Sequence, residues 1–242
     1  MNKALFWDFD GTLVKSPRLW SSSLLRSLKD AWPGCPFLLE DIRPHMQNIF
    51  PWDMADRDFS SLKGEAWWEY MYQRFGEVCS ALGVPEGMAA RAARGVRSIL
   101  VRTENYTVYD DALPVLHRFR EMGFAQYIVS NNHPDLNRVL RDLDLSPYFA
   151  DAVVSGEIGF DKPRKEIFEY ALVKAGCPDL CFMIGDNPIA DGEGAQGANI
   201  PALLVHLKDP APAFPAFETL SEAAGYIQEA LYADPHHDHG GL

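Results

Sequence analysis

The chain has no apolar run of about 18 residues, the length a membrane-spanning helix needs, so a membrane role is not expected. It also lacks a basic cluster. The formal net charge is -12. The densest group of arginines, RGVRSILVR at 94–102, sets them at helical spacing among apolar residues. That reads as the solvated edge of a helix, and a nucleic-acid partner, which needs a Lys/Arg surface, is not expected. Cysteine is scarce: Cys35, Cys79, Cys177 and Cys181 are all there are. The last two, in GCPDLC, lie too far apart for a CxxC redox pair, and no second pair completes a zinc site. All four read as ordinary thiols rather than a disulfide framework. A secretory segment is not expected either, because the apolar ALFW at 4–7 is short and an acid follows at once. The expected location is cytoplasmic. There is no internal repeat. The Pro-rich DPAPAFPAF at 209–217 reads as a surface connection. The terminal DPHHDHGGL at 234–242 reads as an unstructured end whose histidines could take up a metal adventitiously.

What remains is an ordinary globular composition, 47% hydrophobic and 23% charged, over 242 residues. That length suits one large domain, or a domain with a sizeable insertion, with core enough to need no staples. Residues 3–8 read as a short buried strand. Residues 17–31, 60–82 and 85–101 then read as helices, the second capped by Ser60 or Ser61 and the third opened by Pro85, while 37–49 reads as a short helix and then a loop. Trp67 and Trp68 are expected to pack those helices together. From about residue 104 the pattern alternates. Helices at 111–122, 134–143, 163–175, 188–198 and 219–231 separate strands at 124–129, 152–154, 180–184 and 201–205. Short connections between alternating elements argue for a Rossmann-like α/β fold, a parallel sheet flanked by helices. The first strand belongs with this second half. The expected division is therefore an α/β core of residues 1–15 and 104–242, with an all-α cap, 16–103, inserted after the first strand.

Polar residues gather where these strands end. Strand one runs into Asp8-Phe9-Asp10-Gly11-Thr12, the strand at 124–129 into Ser130-Asn131-Asn132, and the strand at 180–184 into Gly185-Asp186, with Asp191 following. Asp161-Lys162-Pro163 stands just before a helix. Open parallel sheets bind ligands at their carboxyl edge, so these motifs can converge on one site. Carboxylates crowded together repel and call for a cation, and oxygen-only donors favour Mg2+ where phosphate is the substrate. An aspartate beside a lysine can attack phosphorus, and a second acid can then move the protons. Asp10 shares a face with Asp8 if the strand geometry continues. Each residue also has a plainer reading. Asp10 could cap a turn, Ser130 or Asn132 could cap the next helix, and Lys162 could be a loop lysine.

The ordered set DFDGT, Ser130, Lys162 and GDNPIAD resembles the haloacid dehalogenase-like hydrolase superfamily, across the whole chain. The resemblance implies a phosphatase with Asp8 as nucleophile and Asp10 as general acid/base. Thr12, Ser130, Asn131 and Lys162 would bind the phosphoryl group. Mg2+ would be held by Asp8, Asp10 (through its carbonyl), Asp186 and Asp191. The helical insertion would be a mobile cap hinged near Lys15–Pro17 and 103–107. Arg18, His45, Gln47 and Trp52 would be its candidates for substrate contact, against surface or core roles for the last three. The partner would be a small phosphorylated metabolite, and a monomer or a homodimer both fit. Dehalogenation and phosphonate hydrolysis are disfavoured because Asp10 is present. The alternatives are a phosphomutase with the same motifs and a catalytically silent binding protein.

Overall fold

The fold is described by a computed structural model covering residues 1–54, 57–207 and 213–233. Six parallel strands form one sheet in the order β5-β4-β1-β6-β7-β8. They are β1 (Lys3–Trp7), β4 (Ala125–Ser130), β5 (Asp151–Val154), β6 (Leu180–Gly185), β7 (Ala202–Val205) and β8 (Ala216–Phe217). The central strand β1 pairs with β4 through Trp7↔Ile128 and with β6 through Trp7↔Ile184. Its side chains alternate between two cores, as a strand covered on both faces must. Leu5 and Trp7 pack on α5 (Ala112–Glu121), α6 (Leu136–Asp142) and α10 (Leu220–Ala233). Ala4 and Phe6 pack on α8 (Lys165–Lys174) and α9 (Gly194–Gly197). One further short helix, α7 (Ser155–Ile158), follows β5.

Between β1 and β4 the chain makes a helical excursion through α1 (Leu19–Ala31), α2 (Leu39–Ile42), α3 (Glu65–Ala81) and α4 (Glu86–Leu100). It leaves and returns through a two-stranded antiparallel ribbon, β2 (Val14–Lys15) on β3 (Thr107–Val108). Small residues let α1 and α4 approach closely. Ser27 Oγ donates to the Ala92 carbonyl at 2.6 Å, and a Cβ at Gly95 would fall 2.2 Å from that oxygen. Trp20, Phe50, Trp52 and Trp67 form an aromatic cluster with neighbouring centroids 4.8–6.1 Å apart, and Trp67 and Trp68 are buried. Polar contacts tie the excursion to the rest of the chain. Arg97 Nε bonds Asp135 at 2.6 Å, Gly64 N donates to the Gly156 carbonyl at 2.9 Å, and Arg164 donates to the Arg57 carbonyl.

Several expectations need correction. Helix α3 starts after Gly64, not at Ser60 or Ser61, because Gly64 takes a positive φ of 57° and bonds across to Gly156. Asn132 caps no helix: its Oδ1 accepts from the adjacent His133 N at 2.9 Å, and α6 begins only after Asp135. The end of the Pro-rich stretch is a strand, β8, paired to β7; it is too short to show a period. The helix expected at 188–198 opens as a wide π turn over Pro188–Glu193, in which Gly192 N reaches back to the Asn187 carbonyl at 3.2 Å, and Asn187 Oδ1 caps it by accepting from the nitrogens of Ile189 and Ala190. All four cysteines are free, and among the described residues no helix is long and apolar enough to cross a membrane. Residues 208–212, within the Pro-rich stretch, and the histidine-bearing 234–242 lie outside the described residues.

Candidate active site

Strand β1 delivers Asp8 to the middle of the sheet's carboxyl edge, where its backbone nitrogen donates to the Ile184 carbonyl of β6 at 2.9 Å. The chain then turns tightly, with Leu13 N donating to the Phe9 carbonyl at 2.9 Å. Gly11 takes φ 83°, and a Cβ there would stand 2.3 Å from Asp186 Oδ2. Only glycine satisfies both the left-handed backbone and the close approach of Asp186. A Cβ at Gly185 would likewise stand 2.1 Å from the Asp191 carboxyl. Two glycines thus let Asp186 and Asp191 press against the backbone at the strand ends. Asp8, Asp186 and Asp191 each offer an oxygen, and these lie within 4.8 Å of one another. Lys162, 2% exposed, reaches in with Nζ 2.9 Å from Asp8 Oδ1 and 2.6 Å from Asp191 Oδ1. The Asn131 side chain clamps the Lys162 backbone: its Oδ1 accepts from Lys162 N at 2.6 Å and its Nδ2 donates to the carbonyl at 2.9 Å.

Charge does not balance here. Burial and the neighbouring Asp8 and Asp191 push the Asp186 carboxyl up to about 7. Burial pushes Asp191 up to about 6, with Lys162 pulling the other way. Burial also works against the Lys162 ammonium, but Asp191 and Asp8 outweigh it and hold the lysine charged. One ammonium cannot neutralise three crowded carboxylates, two of them buried. Oxygen donors in negative excess fit a hard divalent cation.

Asp10 stands apart from the triad. β1 ends at Trp7, so the two-residue alternation stops and Asp10 turns aside. The Ser16 hydroxyl donates to its Oδ1, and Asn132 Nδ2 donates to its Oδ2 at 2.6 Å. Burial lifts its carboxyl to about 6; the Ser16 bond opposes the rise and Asp8 adds to it. A cavity of about 470 Å3 opens beside Asp10, with Arg18, Trp20, Arg43, Met46 and Asn131 in its wall. Ser130, buried at the end of β4, leaves the sheet beside the Asp8 segment.

A model of the haloacid dehalogenase-like hydrolases matches residues 2–199. The chain belongs to that family. Among curated relatives of this hydrolase, the phosphoserine phosphatase of Thermus thermophilus is 33% identical over 52% of this chain and 51% of its own length. The aligned region thus spans about half of that protein. The glyceraldehyde 3-phosphate phosphatase of Methanothermobacter thermautotrophicus is 28% identical over 85% of this chain and 86% of its own. Among solved structures, the magnesium-bound HAD-hydrolase YfnB of Bacillus subtilis superposes with a TM-score of 0.73 at 24% identity, covering 94% of this chain and 99% of that one. A Thermotoga maritima structure described as a β-phosphoglucomutase gives a TM-score of 0.68 at 17% identity, covering 94% and 99%. These two likenesses concern the fold.

The hydrolase brings Asp8, Asp186, Asp191 and Lys162 into contact and sets Asp10, Ser130 and Asn131 around them. Thr12 is turned inward: it is fully buried, its hydroxyl has no partner among the described residues, and its carbonyl lies 3.1 Å from His206 Nε2. Arg18 reaches the cavity beside Asp10. His45 is exposed and does not line that cavity, and Gln47 is exposed as well. The turn Arg43–Met46 is a 3-10 helix, in which residues three apart share a face, so Arg43 and Met46 point together while His45 points elsewhere. Trp52 stacks on Phe50 at 4.8 Å and lines a narrow cleft with Asp161, Lys162 and Arg164. The sequence reading missed Ser16, Arg43 and the Asp10-holding role of Asn132. Only the Asn-Asn pair after a strand could have hinted at the last.

Proposed function

We propose that the protein is a Mg2+-dependent phosphatase that hydrolyses a small-molecule phosphomonoester through an aspartyl-phosphate on Asp8. The observation that carries this reading is the division between the two acids of the first motif. Asp8 sits against Lys162 within the acidic triad, while Asp10, held by Ser16 and Asn132, has a carboxyl lifted to about 6. The first arrangement suits a nucleophile attacking an anionic phosphoryl group. The second suits a proton carrier working near neutral pH. Relatives named as phosphatases of phosphoserine and of glyceraldehyde 3-phosphate support a small phosphorylated substrate.

In the first half-reaction an Asp8 oxygen bonds to phosphorus and the bond to the leaving oxygen breaks. Asp10 gives its proton to that oxygen. In the second, water attacks the same phosphorus while Asp10 takes its proton, and the bond to Asp8 breaks to free inorganic phosphate. Lys162 offsets the charge of Asp8 and of the phosphoryl oxygens, which the Ser130 hydroxyl and the Asn131 backbone amide orient. Held by Asp8, Asp186, Asp191 and the Asp10 carbonyl, Mg2+ would supply the positive charge this cluster lacks. Residues 16–103 act as a cap that moves on the β2–β3 ribbon and excludes water when closed. The YfnB structure, described as revealing interdomain movement, supports that assignment.

The test is phosphate release from an aryl phosphate with Mg2+. Activity that EDTA removes and Mg2+ restores is expected, and turnover undiminished by EDTA contradicts the proposal. A phosphometabolite panel then identifies the substrate. Conversion of a phosphate ester to its isomer, without free phosphate, would identify a mutase instead.

A further inference from the structure

We infer that the substrate carries a second anionic group, a carboxylate or a phosphate, and that Arg18 and Arg43 hold it. This rests on the phosphatase reading of the same site and names the class of leaving group.

The argument begins with charge. The chain holds 34 acidic residues against 22 lysines and arginines. Arg26, Arg74, Arg94, Arg97, Arg102 and Arg138 all pair with carboxylates. Among the described residues the Arg18 and Arg43 side chains have no hydrogen bond or ion pair, yet both line the cavity of about 470 Å3 that opens beside Asp10. In a protein of net charge -12, two unpaired guanidinium groups at one opening favour an anion there.

Backbone geometry positions both. Arg18 takes φ 61° and ψ 22°, a left-handed conformation that side-chain-bearing residues rarely adopt. Two bonds fix its carbonyl: Ser22 N donates at 2.9 Å and Ser21 Oγ at 3.1 Å. Arg43 reaches the cavity because the 3-10 turn puts it on one face with Met46. The same wall includes Trp20 and Met46, apolar surface suited to a short carbon skeleton. One cavity thus gathers an acid for the leaving oxygen and two forked cations. Guanidinium groups recognise carboxylate and phosphate in paired hydrogen bonds. A neutral sugar or polyol would leave both unmatched.

The test measures binding by calorimetry, with Mg2+ present, in the Asp8→Asn background so that ligand is not consumed. Two matched pairs serve as probes: 3-phosphoglycerate against glycerol 3-phosphate, and a hexose bisphosphate against the hexose monophosphate. At least one doubly anionic member should bind about tenfold or more tightly than its counterpart. Whichever pair shows the contrast identifies the second anion. Adding Arg18→Gln and Arg43→Gln together should shrink the contrast to about twofold. Both side chains are exposed, so the fold should survive, as circular dichroism checks. Equal affinity within both pairs, or a contrast that outlasts the double substitution, overturns the inference. Wild-type turnover of an aryl phosphate is measured separately. Its absence counts against the phosphatase reading, while the binding contrast decides the role of the arginines.

Discussion

The sheet edge and the helical excursion are built on opposite plans. At the edge, three of the four acids are pinned by polar partners: Asp8 by Lys162 and the β6 backbone, Asp10 by Ser16 and Asn132, Asp191 by Lys162 and the Asn187 nitrogen. In the excursion the interior is apolar and aromatic, few polar contacts reach the sheet, and arginines at the cavity stand free. Groups that react need fixed positions, and strand ends supply them. Groups that select a substrate need only reach it, and short turns suffice. If this contrast is right, removing a reacting side chain at the edge destroys chemistry at little cost to the fold, while loosening the excursion spares the chemical step.

The largest expected effect is from Asp8→Asn. It keeps the shape and removes the nucleophile, so turnover should fall by at least about 1000-fold with the circular dichroism spectrum intact. An active variant would break the comparison at its strongest point. Asp10→Asn comes next: a loss of roughly 100- to 10000-fold in kcat with substrate still bound, read by steady-state kinetics and calorimetry. A normal rate there removes Asp10 from the proton transfers.

Gly11→Ala tests the backbone. The new methyl would meet Asp186 in a backbone conformation alanine resists, so stability should drop by about 1–3 kcal/mol and Mg2+ affinity should weaken. Unchanged metal affinity would mean that Asp186 has no part in binding.

Acidity gives a milder test. Asp10, Asp186 and Asp191 are lifted from 3.8 to about 6, 7 and 6, burial being the first cause in each case. A carboxyl raised on folding binds more protons folded than unfolded, so its stabilising effect is complete below its unfolded pKa and lost as pH rises through the folded one. The metal-free protein should therefore lose Tm between about pH 4 and 7. Mg2+ should raise Tm more at pH 7 than at pH 5, as calorimetry can read. A metal-free Tm that climbs across this window contradicts the charge account.

The smallest effect belongs to the excursion. Arg97, 30% exposed, bonds Asp135 through two nitrogens at 2.6 and 3.0 Å. Arg97→Ala should cost about 1 kcal/mol or less, because solvent screens the pair, and should spare the chemical step. A loss as large as that of Asp10→Asn would erase the distinction between the regions.

These plans also explain what could be read from the sequence. The alternation of apolar strands with helices from residue 104 onward is periodic and local, and the sheet follows it. The acids were visible because each interrupts or follows an apolar run: Asp8 after ALFW, Asp186 after LCFMIG. The partners of Asp10 were not, since Ser16 and Asn132 meet it only after the chain turns at Gly11 and β4 arrives alongside. Arg43 was hidden for a related reason. Its face depends on a 3-10 turn of four residues, too short to show a period, and His45 in the same turn looked equally suitable. β8 escaped because two residues directly after Pro215 carry no alternation.

The central claim is that Asp8 itself receives the phosphoryl group. Borohydride added during turnover with Mg2+ reduces an aspartyl-phosphate to homoserine, which peptide mass mapping can locate. The account predicts homoserine at position 8 and nowhere else. Continued phosphate release with an unmodified aspartate at that position would contradict it.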